Sequence, residues 1–245
     1  MAAGGVRRVV AAAGGALLLC SGVTGCAGGP PTVAPSGVDG LTIPTPSPST
    51  SDFVGAVDNP WFPLAVGSRW SYRLSGQPGT GRLLAAVTGR TRVVDGVRCT
   101  GVHHVTRDGG GRVVDDSWSW YAQDRAGNVW QLGGPADTSE GRSWLAGVDG
   151  ARAGLVMAAH PRRGDGYVVA DAPGVAEDRA TVLSVDEQRA VPSGYYTHLV
   201  ETEDTSPLVP GVVVDSYYAR GLGLVYRRTV TGGPGGQVLV SFARR

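Results

Sequence analysis

The chain has no lysine: all 22 of its lysine-plus-arginine residues are arginine. With the surplus of alanine, glycine and valine, this reads as the compositional bias of a GC-rich genome and carries no mechanism. It also leaves Gly109-Gly110-Gly111 without the lysine and following helix that a phosphate loop needs. A charge excess of either sign is lacking too, since 21 acidic residues face the 22 basic ones. Arg7 and Arg8 lie in a segment expected to be removed, so the mature chain is close to neutral. This argues against nucleic acid as a partner, because it is bound through clustered positive charge. No run of basic residues marks a polybasic membrane patch. Cysteine is nearly absent, with three in all at Cys20, Cys26 and Cys99. Cys20 falls in the removable segment and Cys26 has another use, described next. Cys99 is then alone, which excludes an intramolecular disulfide. It sits in a strand-like stretch, so burial is expected. No Gly-x-Ser-x-Gly elbow occurs, which leaves serine hydrolysis without support.

What the chain does have begins at its N-terminus. Arg7 and Arg8 form a short positive start, and Val9–Leu19 is apolar at the length of a signal segment, too short to span a bilayer comfortably. Val23-Thr24-Gly25-Cys26 follows and resembles the bacterial lipobox: an aliphatic residue, two small ones and the cysteine that accepts lipid. Residues 1–25 are thus expected to be a signal peptide and Cys26 the lipidated residue, holding the protein to a membrane outside the cytoplasm. An ordinary signal peptide cut near Ala27, a bare membrane anchor and a twin-arginine signal are the alternatives. Residues 26–51, rich in Pro, Gly, Ser and Thr, read as a disordered tether. As a coil it reaches roughly 30 Å, and stretched about 80 Å.

From Asp52 onward the apolar period is two. Trp70, Tyr72 and Leu74 alternate with Ser71, Arg73 and Ser75; Trp118 and Trp120 alternate with Ser117 and Ser119. Turn signals such as Asp95-Gly96 and Pro192-Ser193-Gly194 separate the runs. The expectation is an all-β domain over 52–245, mainly an antiparallel meander of nine or ten strands forming a curved sheet or half-barrel. One short helix is expected within 151–160, and at most a helical turn within 172–180. The glycine-rich stretch near 147–166 leaves open a division into two packed sheets. Two segments echo each other: Trp120-Tyr121-Ala122 with Gly127-Asn128-Val129-Trp130, and Tyr217-Tyr218-Ala219 with Gly223-Leu224-Val225-Tyr226. Both read as aromatic hairpins.

The opening Asp58-Asn59-Pro60-Trp61-Phe62-Pro63-Leu64 with Gly67-Ser68-Arg69-Trp70-Ser71-Tyr72, the middle run Ser143–Gly150, and the ending Tyr217–Val225 resemble a group of uncharacterised bacterial secreted proteins and lipoproteins. That group brings no activity with it. More loosely, the meander is similar to the curved half-barrels of lipoprotein carriers, which hold apolar ligands on a concave face. This second likeness bears on fold more than on function.

Candidate chemistry is sparse. His103 and His104 are neighbours on a strand and point to opposite faces. His160 and His198 are isolated, and no spacing suggests a metal site. Asp115-Asp116, Glu177-Asp178 and Asp186-Glu187 are adjacent pairs, not carboxylates held at a catalytic separation. No catalytic, cofactor-binding or metal-binding residue is assigned, and no cofactor is implied. The tryptophans stand out, six against three phenylalanines. Trp70, Trp118, Trp120 and Trp130 are the candidates for a ligand face, with core packing as the alternative. The sequence is read as a membrane-anchored binding or carrier module for an apolar or amphipathic small molecule. A structural lipoprotein that binds another envelope protein is the second reading, and an envelope enzyme the third.

Overall fold

Strands form where the apolar period is two. In the computed structural model, which describes residues 48–76, 80–136 and 143–244, Trp70 and Tyr72 are buried between exposed Arg69 and Arg73. The signal segment, Cys26 and the tether up to residue 47 lie outside the described residues. Residues 48–51, expected in the tether, are described: a 3₁₀ turn spans Thr50–Asp52, and the Asp52 carboxylate takes the Ser49 backbone N–H (2.9 Å) and hydroxyl (2.7 Å).

Fourteen strands follow among the described residues: β1 Phe53–Val54, β2 Arg69–Gly76, β3 Gly81–Val94, β4 Val97–Asp108, β5 Val113–Asp124, β6 Val129–Pro135, β7 Ser143–Leu145, β8 Gly154–Met157, β9 Gly166–Val168, β10 Arg179–Val191, β11 Gly194–Thr205, β12 Val213–Ala219, β13 Gly223–Thr231 and β14 Gly235–Ala243. The count exceeds the sequence expectation through β1, β7, β8 and β9, each two to four residues long. Pieces that short carry no period. The helix expected within 151–160 is not formed. Gly154–Met157 pairs with the edge of β6 instead (Leu155 opposite Trp130), and all four residues are buried. Edge pairing and burial there override a weak local helical pattern. Near 172–180 a single tight turn forms, with the Ala176 N–H bonded to the Ala172 carbonyl, and β10 begins at Arg179.

All fourteen strands belong to one antiparallel sheet rather than two. Its order is β9-β10-β11-β12-β13-β14-β2-β3-β4-β5-β6-β7, with β1 on β5 and β8 on β6. Two six-stranded meanders, β2–β7 and β9–β14, therefore lie end to end, joined where β14 pairs with β2 (Phe242 opposite Trp70, Leu239 opposite Tyr72). The two echo segments are the hairpins β5–β6 and β12–β13, which occupy equivalent places in the two meanders. The far ends of the array also approach each other. The Arg152 N–H bonds to the Asp171 carbonyl (2.7 Å), and a Cβ at Gly154 would stand 2.2 Å from the Val169 oxygen. Only glycine permits that approach.

Curvature brings both meanders into the same apolar clusters. One joins Trp70, Tyr72, Val87 and Val102 to Leu199, Tyr217, Val225 and Leu239. Another joins Cys99, Trp130, Leu132 and Leu155 to Val182 and Val200. Two long hairpins bend to achieve this. The β3–β4 register slips between Val87 and Thr91, where Gly89 has φ 85°. The β10–β11 register slips between Val182 and Arg189, across from His198 at φ 53°. The tip of β3–β4 is Asp95-Gly96, with φ 47° and 77°. Two positive angles in a two-residue loop match the twist of the flanking strands.

A strap, residues 57–64, crosses one end of the sheet, and Asn59 holds it. This side chain is 2% exposed. Its Nδ2 donates to the carbonyls of Gly127 (2.8 Å) and Ala158 (3.0 Å), and its Oδ1 accepts from the Trp61 N–H (2.8 Å). Gln123 Oε1 accepts the N–H of Asp58 (2.9 Å) and of Asn59 (2.8 Å), while its Nε2 donates to Asp58 Oδ1 (2.6 Å). Removing a partner strands buried polar groups, which costs more than the bond itself contributes. Asn59→Ala is therefore expected to lower unfolding free energy by about 3 kcal/mol, measured by urea titration. A loss below about 0.5 kcal/mol would show that the strap is held by packing alone.

Candidate functional site

The concave face is not filled. Seven consecutive strands, from β5 through β4, β3, β2, β14 and β13 to β12, contribute side chains to one cavity of about 310 Å³. Its walls are mainly apolar and aromatic: Trp70, Tyr72, Leu83, Ala85, Val102, Tyr121, Tyr218 and Leu224. Phe62, Pro63 and Leu64 of the strap close one end together with Leu222 and Gly223. Phe62 packs on Tyr121 with ring centroids 5.2 Å apart.

The polar tips of the aromatic walls are tied back. Trp70 Nε1 donates to the Leu222 carbonyl (2.7 Å) and the Tyr72 hydroxyl to that of Leu224 (2.9 Å). The Gly221 N–H bonds to the Pro60 carbonyl (2.7 Å), locking the 219–224 turn to the strap. With their polar ends satisfied, Trp70 and Tyr72 present ring surface to the cavity. Burial raises the Tyr72, Tyr121 and Tyr218 phenols above their ordinary range, so all three stay neutral.

Three polar groups break the apolar lining. Arg227 and Gln237 are cross-strand neighbours on β13 and β14. Arg227 Nη2 lies 3.5 Å from Asp204 Oδ2, and Asp204 also takes the hydroxyls of Thr202 (2.8 Å) and Ser216 (2.5 Å). Burial pushes the Asp204 carboxyl up, against the pull of Arg227 and the two hydroxyls. The third group is His104, whose Nε2 is enclosed and has no hydrogen-bond partner among the described residues. Burial drives its pKa down from 6.5 to about 4, Asp115 opposes the shift, and His103 adds to it. The imidazole is thus neutral at pH 7, and its ring lines the cavity while its Nε2 is buried without a partner among the described residues.

The four candidate tryptophans go to three places. Trp70 lines the cavity. Trp118 and Trp120 stack on each other (5.7 Å) along a separate groove of about 750 Å³, with His103 stacked on Trp118 (4.6 Å) and Arg90 over the same ring (4.7 Å). Trp130 is buried in the core, its Nε1 donating to Asp124 Oδ2 (2.9 Å). The tyrosines, His104, Arg227 and Gln237 were not singled out as a ligand face by sequence. The echo carried a trace of them, since Tyr121 and Tyr218 hold corresponding positions in its two segments.

The histidines and the remaining cysteine lie in separate surroundings. His160 and His198 share an open groove with Trp61 and Arg220 on the other side of the strap. His198 Nδ1 contacts Asp186 (2.6 Å) with both side chains largely in water, and His103 Nε2 contacts Asp116 (2.7 Å). Neither histidine is bonded to a hydroxyl or thiol among the described residues, and no group of three metal-ligating side chains occurs among them. Cys99 is buried, and burial pushes its thiol up to about 12, far from a reactive thiolate.

His104 gives the site a pH signature. Its folded-state pKa lies below the unfolded value, so between the two the unfolded chain binds more protons. The associated stability is present above pH 6.5 and is lost as pH falls from 6.5 toward 4. The expected loss is on the order of 2 kcal/mol. Compared across pH 7 to 4, His104→Gln is expected to remove that much of the acid sensitivity seen in urea titrations. Parallel pH profiles for the two proteins would place a protonated, solvated imidazole at this position.

No protein family and no curated protein matches the chain. Two solved structures are similar to it. One is a protein from Bacteroides fragilis described as exported and of YmcC-like fold, at 13% identity and a TM-score of 0.47, covering 75% of this chain and 99% of that one. The other is a protein from Parabacteroides distasonis described as a lipoprotein, at 10% identity and a TM-score of 0.44, covering 76% of this chain and 99% of that one.

Proposed function

We propose that the chain is exported, lipidated on Cys26, and serves as a binding module that holds one small apolar or amphipathic molecule in the cavity beneath the strap. The observation that carries this reading is the unfilled concave face: about 310 Å³ walled by aromatic and aliphatic side chains from both meanders. Small-molecule sites have this character, mostly apolar with a few placed polar groups, at roughly 300–1,000 Å³. The volume stands at the lower end of that range, which suits a single chain or compact ring better than a two-chain lipid. Arg227, Gln237 and the His104 ring, which interrupt the apolar lining, are the polar groups that would orient it. The signal-like start and the Val23–Cys26 box support the address. The second reading, an envelope protein that binds another protein, draws on the open groove at Trp118 and Trp120.

Two experiments test this. Leu83 lines the cavity and is only partly buried, so Leu83→Trp fills space without displacing the tightly packed core. The mature protein from its own export route is expected to carry an extra mass in native mass spectrometry that is lost on denaturation. Leu83→Trp is expected to reduce occupancy about tenfold or more, whereas Trp118→Ala keeps it. Loss in Trp118→Ala with retention in Leu83→Trp would move the binding site to the groove. An empty wild type that also ignores a fluorescent fatty-acid analogue would sink the carrier reading. For the anchor, Cys26→Ser is expected to abolish incorporation of a labelled fatty acid and shift the protein from the membrane pellet to the soluble fraction. A variant that still carries label would place the modification elsewhere.

A further inference from the structure

The sequence shows no basic run, yet the strand register builds one. Arg73 stands directly opposite Arg82 on the neighbouring strand, and Arg82 directly opposite Arg107 on the next. Alternation puts Arg73 and Arg82 on the face opposite their neighbours Tyr72 and Leu83, which line the cavity. All three arginines are exposed and line one shallow groove. Adjacent strands are about 4.8 Å apart, so the three side chains leave the sheet in a line about 10 Å long.

Like charges directly across a strand pair destabilise it, and little here offsets them. Arg107 Nη1 donates to the Gly111 carbonyl (3.0 Å), a neutral acceptor. Asp108, the one carboxylate on the groove among the described residues, is engaged by Arg112 Nε (3.3 Å) and by the N–H groups of Gly110 and Arg112 (3.0 Å each). Neither Arg73 nor Arg82 is ion-paired among the described residues. The apolar neighbours on this face are exposed as well: Leu84 43%, Val113 43% and Val240 39%. A free phosphate would satisfy the guanidinium groups and leave these three in water. A phospholipid surface satisfies both, because guanidinium matches phosphate oxygens in pairs and the aliphatic side chains reach past the head groups.

We propose that the Arg73–Arg82–Arg107 face rests on an anionic bilayer, its guanidinium groups on lipid phosphates and Leu84, Val113 and Val240 at the interface beneath them. This contact is independent of what the cavity holds. A lipid on Cys26 keeps the domain near such a surface but does not choose which face turns toward it; the arginine row does.

The test uses the mature chain from Ala27, which carries no lipid, with vesicles of neutral phosphatidylcholine alone or mixed with phosphatidylglycerol. Sedimentation is expected to show binding to the mixed vesicles only, released at high salt. Each of R73Q, R82Q and R107Q is expected to lower the partition coefficient about fivefold, and the triple variant to abolish measurable binding. R163Q, a surface control outside the row, should change it by less than about twofold. Folding is checked by thermal melting, where R82Q is expected not to lower Tm, since it removes the middle charge of three. Equal binding to neutral vesicles, or a triple variant that binds as well as wild type, overturns the proposal. So does tight binding of inorganic pyrophosphate without binding to vesicles, which would mark a site for a soluble anion.

Discussion

The β14–β2 pairing is the contact on which the rest of the structure depends. It sets Phe242 against Trp70, with ring centroids 5.3 Å apart, and Leu239 against Tyr72. Without it the chain is two separate meanders, each with one apolar face and nothing to curve against. With it, one continuous sheet presents a single concave face, and Tyr121 from one half and Tyr218 from the other line the same cavity. The pairing joins almost the first and last strands of the folded part, so the loop it closes is nearly the whole domain. Non-local closure of this kind is slow to form. Local hairpins such as Asp95-Gly96 are expected to be in place before the two halves meet.

The strap is the second constraint, and it depends on the first. Asp58–Leu64 crosses an end of the sheet that exists only once both meanders are joined. One side of it, Phe62 to Leu64, closes the cavity, and the other, Asp58 to Trp61, walls the groove that holds His160 and His198. Asn59 and Gln123 fix it through buried hydrogen bonds, while Gly221 ties it to the β12–β13 turn. Two of the aromatic-rich segments that stand out in the sequence, Asp58–Leu64 and Tyr217–Val225, therefore meet at the closed end of the cavity. Their residues are those needed to build that end: an asparagine whose side chain bonds to three backbone groups, a proline inside the Asn59–Phe62 turn, and carbonyls at Leu222 and Leu224 that receive Trp70 and Tyr72.

Much of the fold was legible because period-two alternation is a local property. Trp70, Tyr72, Trp118 and Trp120 sit on strands as their spacing requires, and the paired echo segments are hairpins. What was not legible depends on distant partners. Gly154–Met157 is a strand because an edge of β6 is open beside it, and nothing within the segment says so. The tryptophans were conspicuous by number, yet Trp130 is core and only Trp70 reaches the cavity. Tyr72, Tyr218 and His104 reach it because their strands lie on the same concave wall. The arginine row is the clearest case. Arg73, Arg82 and Arg107 look like three scattered surface charges until register sets them side by side.

The empty volume depends on how the sheet is braced, and larger side chains at Leu83 or Ala85 would be the simplest means of filling it. The rings that border it are held apart: Trp70 and Tyr72 are pinned through their polar tips to carbonyls of the 219–224 turn, and Phe62 is held by the strap. Collapse would break those hydrogen bonds and strand their buried partners. The cavity is therefore maintained by the same contacts that close the end of the sheet. A molecule of the kind proposed would meet walls already in place, so little of its binding energy would go into ordering them.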